Sequence, residues 1–133
     1  MAPIAIAPTA SLRVLVIDDD ESVRTVIRYL LESFGYACET AADGRSGLVR
    51  FDEGGWDLVL TDLEMPEVSG WEVIETIRQR APTMPLVIIT AYDDVAVMRR
   101  ASGWRVPVVV KPFRLETLKA AVTQALAATK RDP

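Results

Sequence analysis

Apolar residues along this chain fall into two alternating patterns. Short, near-continuous apolar runs suit strands covered on both faces. Between them, apolar residues recur every three or four positions, as in helices packed by one face. The first run is Leu12 to Ile17, followed at once by Asp18-Asp19-Asp20-Glu21. Next, Val23, Val26, Ile27, Leu30, Leu31 and Phe34 share a helical face, and Gly35 is the expected helix stop. Tyr36 to Thr40 reads as a second strand. Asp43 can cap a second helix that carries Leu48, Val49 and Phe51 and ends at Gly54-Gly55. Trp56 to Thr61 is the third strand, and Met65-Pro66 breaks the chain just beyond it, because proline lacks an N–H and restricts its predecessor. Ser69 and Gly70 open a third helix with Trp71, Ile74 and Ile77 inward, ended by Pro82 and Pro85. Leu86 to Ile89 is the fourth strand, closing with Thr90-Ala91. Asp93-Asp94 starts a short fourth helix with Val95, Val97 and Met98, ended by Gly103. Val106 to Val110 is the fifth strand, and Lys111-Pro112-Phe113 follows. Leu115, Leu118, Val122, Ala125 and Leu126 mark the inner face of a last helix.

Strands and helices thus alternate from end to end. This pattern implies a parallel sheet with right-handed crossovers and helices on both faces. Spacing alone does not set strand order. For five strands, the leading choice is a flavodoxin-like (βα)5, doubly wound sheet of order 2-1-3-4-5. Residues 11–129 form one domain, flanked by an Ala/Pro-rich arm over residues 1–10 and a polar tail over residues 130–133.

Composition narrows the functions available. The chain has 133 residues and a formal net charge of -4, with no basic cluster to suggest a nucleic-acid face. Its single cysteine, Cys38, excludes an internal disulfide, fits a cytoplasmic protein and reads as a core side chain. No apolar run is long enough to cross a bilayer. The absence of histidine removes the commonest general base and metal ligand. Neither G-x-G-x-x-G nor G-x-x-x-x-G-K-[ST] is present, which disfavours a nucleotide-binding site.

The chemistry is concentrated in the polar residues that directly follow apolar strands. Strand one gives Asp18 and Asp19, strand three Asp62, strand four Thr90 and strand five Lys111. Parallel strands share a direction, so all five residues fall along one edge of the sheet, where open α/β sheets bind ligands. Each has a plainer reading taken alone. Asp18 to Glu21 could favour a helix N-terminus, Thr90 could cap a turn, and Lys111 could be a solvated loop lysine. Their coincidence at strand ends points instead to one site. Three clustered carboxylates hold their charge readily around a divalent cation, and all-oxygen donors favour Mg²⁺, with Mn²⁺ as substitute. With a lysine and a hydroxyl alongside, the set suits phosphoryl transfer, Asp62 attacking as nucleophile.

These residues carry a resemblance. Val14-Leu15-Val16-Ile17-Asp18-Asp19, Thr61-Asp62-Leu63-Glu64-Met65-Pro66 with Gly70, Ile88-Ile89-Thr90-Ala91 and Lys111-Pro112-Phe113 resemble the receiver domains of two-component response regulators. The resemblance implies that Asp62 is the phosphoacceptor in a Mg²⁺-dependent phosphorelay. It implies metal ligation by Asp19, Asp62 and the Glu64 backbone carbonyl, with Asp18 acting mainly through water. Lys111 would hold the phosphoryl group, and Thr90 would be the switch hydroxyl with the Ala91 N–H beside it. Asp20 falls outside the acidic pair and is expected to cap the first helix. The donor would be a phosphohistidine on a sensor histidine kinase or histidine phosphotransfer protein, docking near Ser22 to Val26. Such a domain catalyses only its own phosphorylation and dephosphorylation. Glu64 and Tyr92 hold the positions that modulate phosphoryl loss in the family. An acid and a bulky ring there are expected to slow it.

Three features depart from the family. Val108 stands three positions before Lys111, where receivers carry Tyr or Phe; Pro107 enters the fifth strand, implying an edge; and Asp93 to Ser102 is short for the fourth helix. All lie on the face through which relatives pass on the signal. The expectation is a different output surface, or relay without a large rearrangement. Two other classes compete with this reading. One is a receiver-like interaction domain that is never phosphorylated. The other is an aspartyl-phosphate phosphohydrolase, which would carry a second Asp where this chain has Glu64.

Overall fold

A computed structural model describes residues 11–131. The elements run β1 (Arg13–Ile17), α1 (Glu21–Ser33), β2 (Ala37–Ala41), α2 (Gly44–Asp52), β3 (Leu58–Thr61), α3 (Gly70–Arg80), β4 (Leu86–Thr90), α4 (Val95–Trp104), β5 (Val108–Val110) and α5 (Leu115–Arg131). All five strands are parallel, in the order β2-β1-β3-β4-β5. This is the flavodoxin-like arrangement expected from the sequence. Helix α5 continues through Lys130 and Arg131, into the segment assigned to the tail. The arm over residues 1–10 lies outside the described residues.

Strand pleat divides the core in two, because successive side chains point to opposite faces. Val14, Val16, Leu58, Leu60, Val87, Ile89 and Val109 meet Ile27 and Leu31 of α1 and Leu118 and Val122 of α5. Leu15, Ile17, Val59, Leu86 and Ile88 meet Phe51 of α2, Val73, Ile74 and Ile77 of α3 and Ala101 of α4. Cys38 is buried in the first of these clusters.

Local signals set most helix ends. Asp20 caps α1 by accepting from the Ser22 and Val23 amides. At its far end the Gly35 N–H donates to Glu32 and the Tyr36 N–H to Leu31, a Schellman closure that needs the left-handed backbone Gly35 adopts at φ 96°. Asp43 caps α2, and Ser69 with Glu72 forms a capping box on α3.

Several positions differ from the sequence pattern. Val26 and Val49 are 51% and 62% exposed, because the buried stripes centre on Ile27–Leu31 and Gly47–Phe51 and leave both valines on the rim. Leu115 is 42% exposed, since the contact of α5 with the sheet begins at Leu118. Gly103 does not end α4. The helix continues to Trp104, and Arg105 takes the left-handed position at φ 59°. Helix α4 has ten residues, against nine in α2 and eleven in α3. Pro107 lies just outside β5, which is an edge strand, and its carbonyl accepts from Ile88.

Candidate functional site

The site forms where β1 and β3 stop. Ile17 pairs with Thr61, so Asp18 and Asp62, one residue further on, leave neighbouring strands side by side. From there β1 turns into α1 on one face of the sheet and β3 leads to α3 on the other, which opens a crevice between them. The Asp62 N–H still donates to Ile17 and the Asp18 N–H to Ala41, so both residues extend the ladders before the chain diverges. Asp18 and Asp62 are 1% and 6% exposed, whereas Asp19 faces solvent.

Each side chain is held in a distinct way. Asp18 Oδ1 accepts from the Asp20 N–H at 2.9 Å, and Asp18 Oδ2 accepts from Lys111 Nζ at 2.9 Å. Asp62 Oδ1 accepts from Leu63 N–H at 2.7 Å, and Glu64 N–H lies 3.4 Å from the same oxygen. Asp62 Oδ2 faces Lys111 Nζ at 3.4 Å. The lysine arrives from the end of β5, where its N–H donates to the Thr90 carbonyl at 2.7 Å, and its peptide bond to Pro112 is cis. Thr90 is fully buried at the end of β4, and its hydroxyl oxygen accepts from Tyr92 N–H at 3.1 Å. Ala91 follows it at the surface, and the Glu64 side chain is exposed.

Charge in this crevice is tightly coupled. Burial, with the Asp18 charge beside it, pushes the Asp62 carboxyl above its ordinary value, against the pull of Lys111 and the two N–H groups. Burial alone would lower the Lys111 pKa. The Asp18 hydrogen bond and the charges of Asp62 and Asp18 outweigh it and raise the lysine instead.

The donor chemistry fits a hard divalent cation. Asp18, Asp19 and Asp62 each offer a carboxylate oxygen within 4.8 Å of the others. No imidazole exists in the chain, and the Cys38 thiol lies in the core, so the donors are oxygen alone. Such a set suits Mg²⁺ or Mn²⁺ rather than Zn²⁺.

Two supporting contacts escaped the sequence pattern. Arg24 Nη1 donates to the Asp18 carbonyl at 2.7 Å. Gly70 was legible as a helix opener, but not as a seat: a Cβ there would lie 2.0 Å from the Asp62 carbonyl oxygen, so only glycine lets α3 start so close to the acid. Beside the site, Ser22, Val23, Val26, Ala91, Lys111, Pro112 and Phe113 line a shallow, largely apolar hollow. Among the described residues, no helix is long and apolar enough to cross a membrane.

Comparison with known proteins agrees with this geometry. Residues 14–123 match the response regulator receiver domain family. The transcriptional regulatory protein ZraR of Klebsiella oxytoca is 36% identical over 119 residues, covering 88% of this chain and 27% of that protein. The response regulator MprA of Mycolicibacterium vanbaalenii is 36% identical over 124 residues, covering 91% of this chain and 53% of MprA. The chain therefore spans about a quarter to a half of the length of these curated relatives. A response regulator receiver domain protein of Clostridium thermocellum superposes with a TM-score of 0.82 at 30% identity, over 90% of this chain and 97% of that one. The response regulator TrrA of Thermotoga maritima, solved in complex with Mg²⁺-BeF, superposes at 0.78 with 35% identity, over 86% of this chain and 99% of TrrA. Acidic crevice, strand order and family match agree: this chain belongs to the response regulator receiver domain family.

Proposed function

We propose that this domain accepts a phosphoryl group on Asp62 from a phosphohistidine donor and so acts in two-component signal transduction. The observation that carries the reading is a buried carboxylate, Asp62, that faces Lys111 across 3.4 Å and belongs to a three-carboxylate group able to hold a divalent cation. TrrA, solved with Mg²⁺-BeF, supports the same choice of ion.

Asp62 Oδ1 is engaged by the Leu63 N–H, which leaves Oδ2, beside Lys111, as the attacking oxygen. The new O–P bond forms as the P–N bond to the donor imidazole breaks, and the imidazole leaves with the electron pair and takes up a proton. Lys111 neutralises charge on the transferred oxygens, and Asp18 orients the lysine through its 2.9 Å hydrogen bond. Asp18, Asp19, Asp62 and the Glu64 backbone carbonyl would hold Mg²⁺, which supplies further charge neutralisation when bound. Thr90, at the next strand end, would donate its hydroxyl to a phosphoryl oxygen, and the Ala91 N–H would assist. The domain turns over no separate substrate.

The donor would be a sensor histidine kinase or a histidine phosphotransfer protein. The apolar hollow running from Ser22 and Val26 to Pro112 and Phe113 lies against Lys111, and a protein donor seated there would bring its phosphohistidine to the crevice. Incubation with acetyl phosphate and Mg²⁺ tests the chemistry by intact mass. One added phosphoryl group in the wild type, and none in Asp62→Asn, is expected. A gain in both proteins would place the acceptor on another carboxylate. No gain where Mg²⁺ binds would favour an interaction domain that is never phosphorylated, or a donor requirement stricter than small molecules meet.

A further inference from the structure

The carboxylates of the acidic crevice are not equally restrained. Asp18 is fixed by the Asp20 N–H and Lys111, and Asp62 by the Leu63 N–H and Lys111. Asp19 is exposed, and no group among the described residues donates to its carboxylate. Its place in the triad therefore depends on the backbone that carries it. That backbone has just left the sheet: the last ladder partners of β1 are Ala41 and Thr61, both opposite Ile17. The Ile17 carbonyl accepts from Asp62, but the next carbonyl, that of Asp18, has no strand partner among the described residues.

Arg24 fills that role. Its N–H donates to the Asp20 carbonyl at 3.0 Å in the first turn of α1, and its Nη1 reaches back to the Asp18 carbonyl at 2.7 Å. The side chain thus ties the start of the helix to the Asp18–Asp19 peptide. It makes no ion pair with a carboxylate among the described residues, so its recorded contact is with the backbone rather than with the acids.

We propose that Arg24 is a positioning residue for the cation: by holding the Asp18 carbonyl it fixes the peptide plane from which Asp19 projects, and it thereby sets Mg²⁺ affinity. This inference rests on the metal reading of the site and deepens it. Two effects of Arg24 have opposite signs. As a positive charge near the crevice it opposes cation binding, so its removal would tighten Mg²⁺. As an orienting group it favours binding, so its removal weakens Mg²⁺. Substituting partners that orient metal ligands commonly costs about 10- to 100-fold in affinity.

The test is calorimetric titration of wild type, Arg24→Met and Arg24→Lys with MgCl₂ at constant ionic strength, with Mn²⁺ titrated in parallel. Methionine keeps the packed stem and loses the donor, while lysine keeps one donor. A thermal melt of each in EDTA establishes that it is folded. The expected result is affinity weaker by about tenfold or more in Arg24→Met, largely recovered in Arg24→Lys. Unchanged or tighter Mg²⁺ binding in a folded Arg24→Met overturns the positioning role alone. No saturable binding in the wild type overturns the metal reading and this inference together.

Discussion

Asp62 is disfavoured as a charge in the metal-free crevice, so neutralising it should stabilise the fold. Charges within 4.8 Å of one another repel by about 3.5 kcal/mol at an effective dielectric near 20. That figure applies to the buried pair Asp18 and Asp62. Asp19 is exposed, and water reduces its share to about 1 kcal/mol. Lys111, 3.4 Å from Asp62, returns about 5 kcal/mol of attraction. Attraction and repulsion nearly cancel, so the cost of taking the carboxylate out of water decides the sign. Desolvation is also the largest cause of its raised pKa. Asp62→Asn keeps the shape and an oxygen for the Leu63 N–H, and should stabilise the metal-free protein by about 1–2 kcal/mol, or about 3–8 °C in Tm. The folded-state pKa of Asp62 is raised, so the advantage is full above that pKa, shrinks as pH falls through it, and vanishes below the unfolded value near 3.9. Mg²⁺ should narrow or invert the ranking, because the wild type gains binding energy and the amide has lost a ligand charge. The assay is thermal unfolding of both proteins at low salt, at pH 7 and pH 4, with EDTA and then with Mg²⁺. An asparagine variant no more stable than the wild type in EDTA at pH 7 would refute the reasoning.

Four further outcomes are expected. Gly70→Ala should destabilise the protein by about 1–3 kcal/mol in urea unfolding and weaken Mg²⁺ binding, since its Cβ would strike the Asp62 carbonyl at 2.0 Å. Burial pushes the Cys38 thiol up to about 12. Its contribution to stability is therefore full below the unfolded thiol value near 8.5 and is lost progressively at higher pH. The wild type should lose about 2 kcal/mol more than Cys38→Ala between pH 7 and pH 10 in urea titrations. With Glu64 and Tyr92 flanking the site, phospho-Asp62 should persist for minutes or longer in a radiolabel chase; loss within seconds, or an unchanged lifetime in Glu64→Asn with Tyr92→Ala, counts against this. Val108 offers no ring to swing, and Arg100 stacks 4.5 Å over Trp71, tying α4 to α3. Amide shifts on adding a beryllofluoride mimic should accordingly stay small across residues 93–110.

The sequence revealed the architecture because each strand was a compact apolar run and each helix a periodic one. Strand order was not set by spacing; 2-1-3-4-5 was the leading choice for five alternating strands and is the order observed, and β5 as an edge followed from Pro107. The residues of the crevice were equally legible, as Asp18, Asp19, Asp62, Thr90 and Lys111 stand where apolar runs end, and the structure brings them to one edge of the sheet. What stayed hidden depended on partners far along the chain or on where neighbouring strands stop. Periodicity says which way a helix faces, not how far its neighbours extend, so Val26, Val49 and Leu115 were placed too deep. The Gly103 stop signal was outweighed because α4 closes two residues later on Arg105. Arg24 read as one more polar residue on a helix, and nothing in its spacing announced that a carbonyl freed at a strand end would need it.

The same physical fact produces both the legibility and the site. A sheet covered on both faces cannot hold an uncompensated charge within its strands, so polar chemistry collects where the strands emerge. Parallel connection brings those exits to one edge, and the split of α1 and α3 to opposite faces opens the edge between β1 and β3. Asp18 and Asp62 are carried one residue past the last pairing of Ile17 with Thr61, far enough to meet Lys111 and still nearly closed to water. The result is a crevice in which burial, with the Asp18 charge beside it, raises Asp62 against the pull of Lys111, and which favours any ligand that brings positive charge. Cation binding and acceptor chemistry are on this view one electrostatic problem. Neutralising Asp62 should therefore raise metal-free stability and lower affinity for Mg²⁺ together.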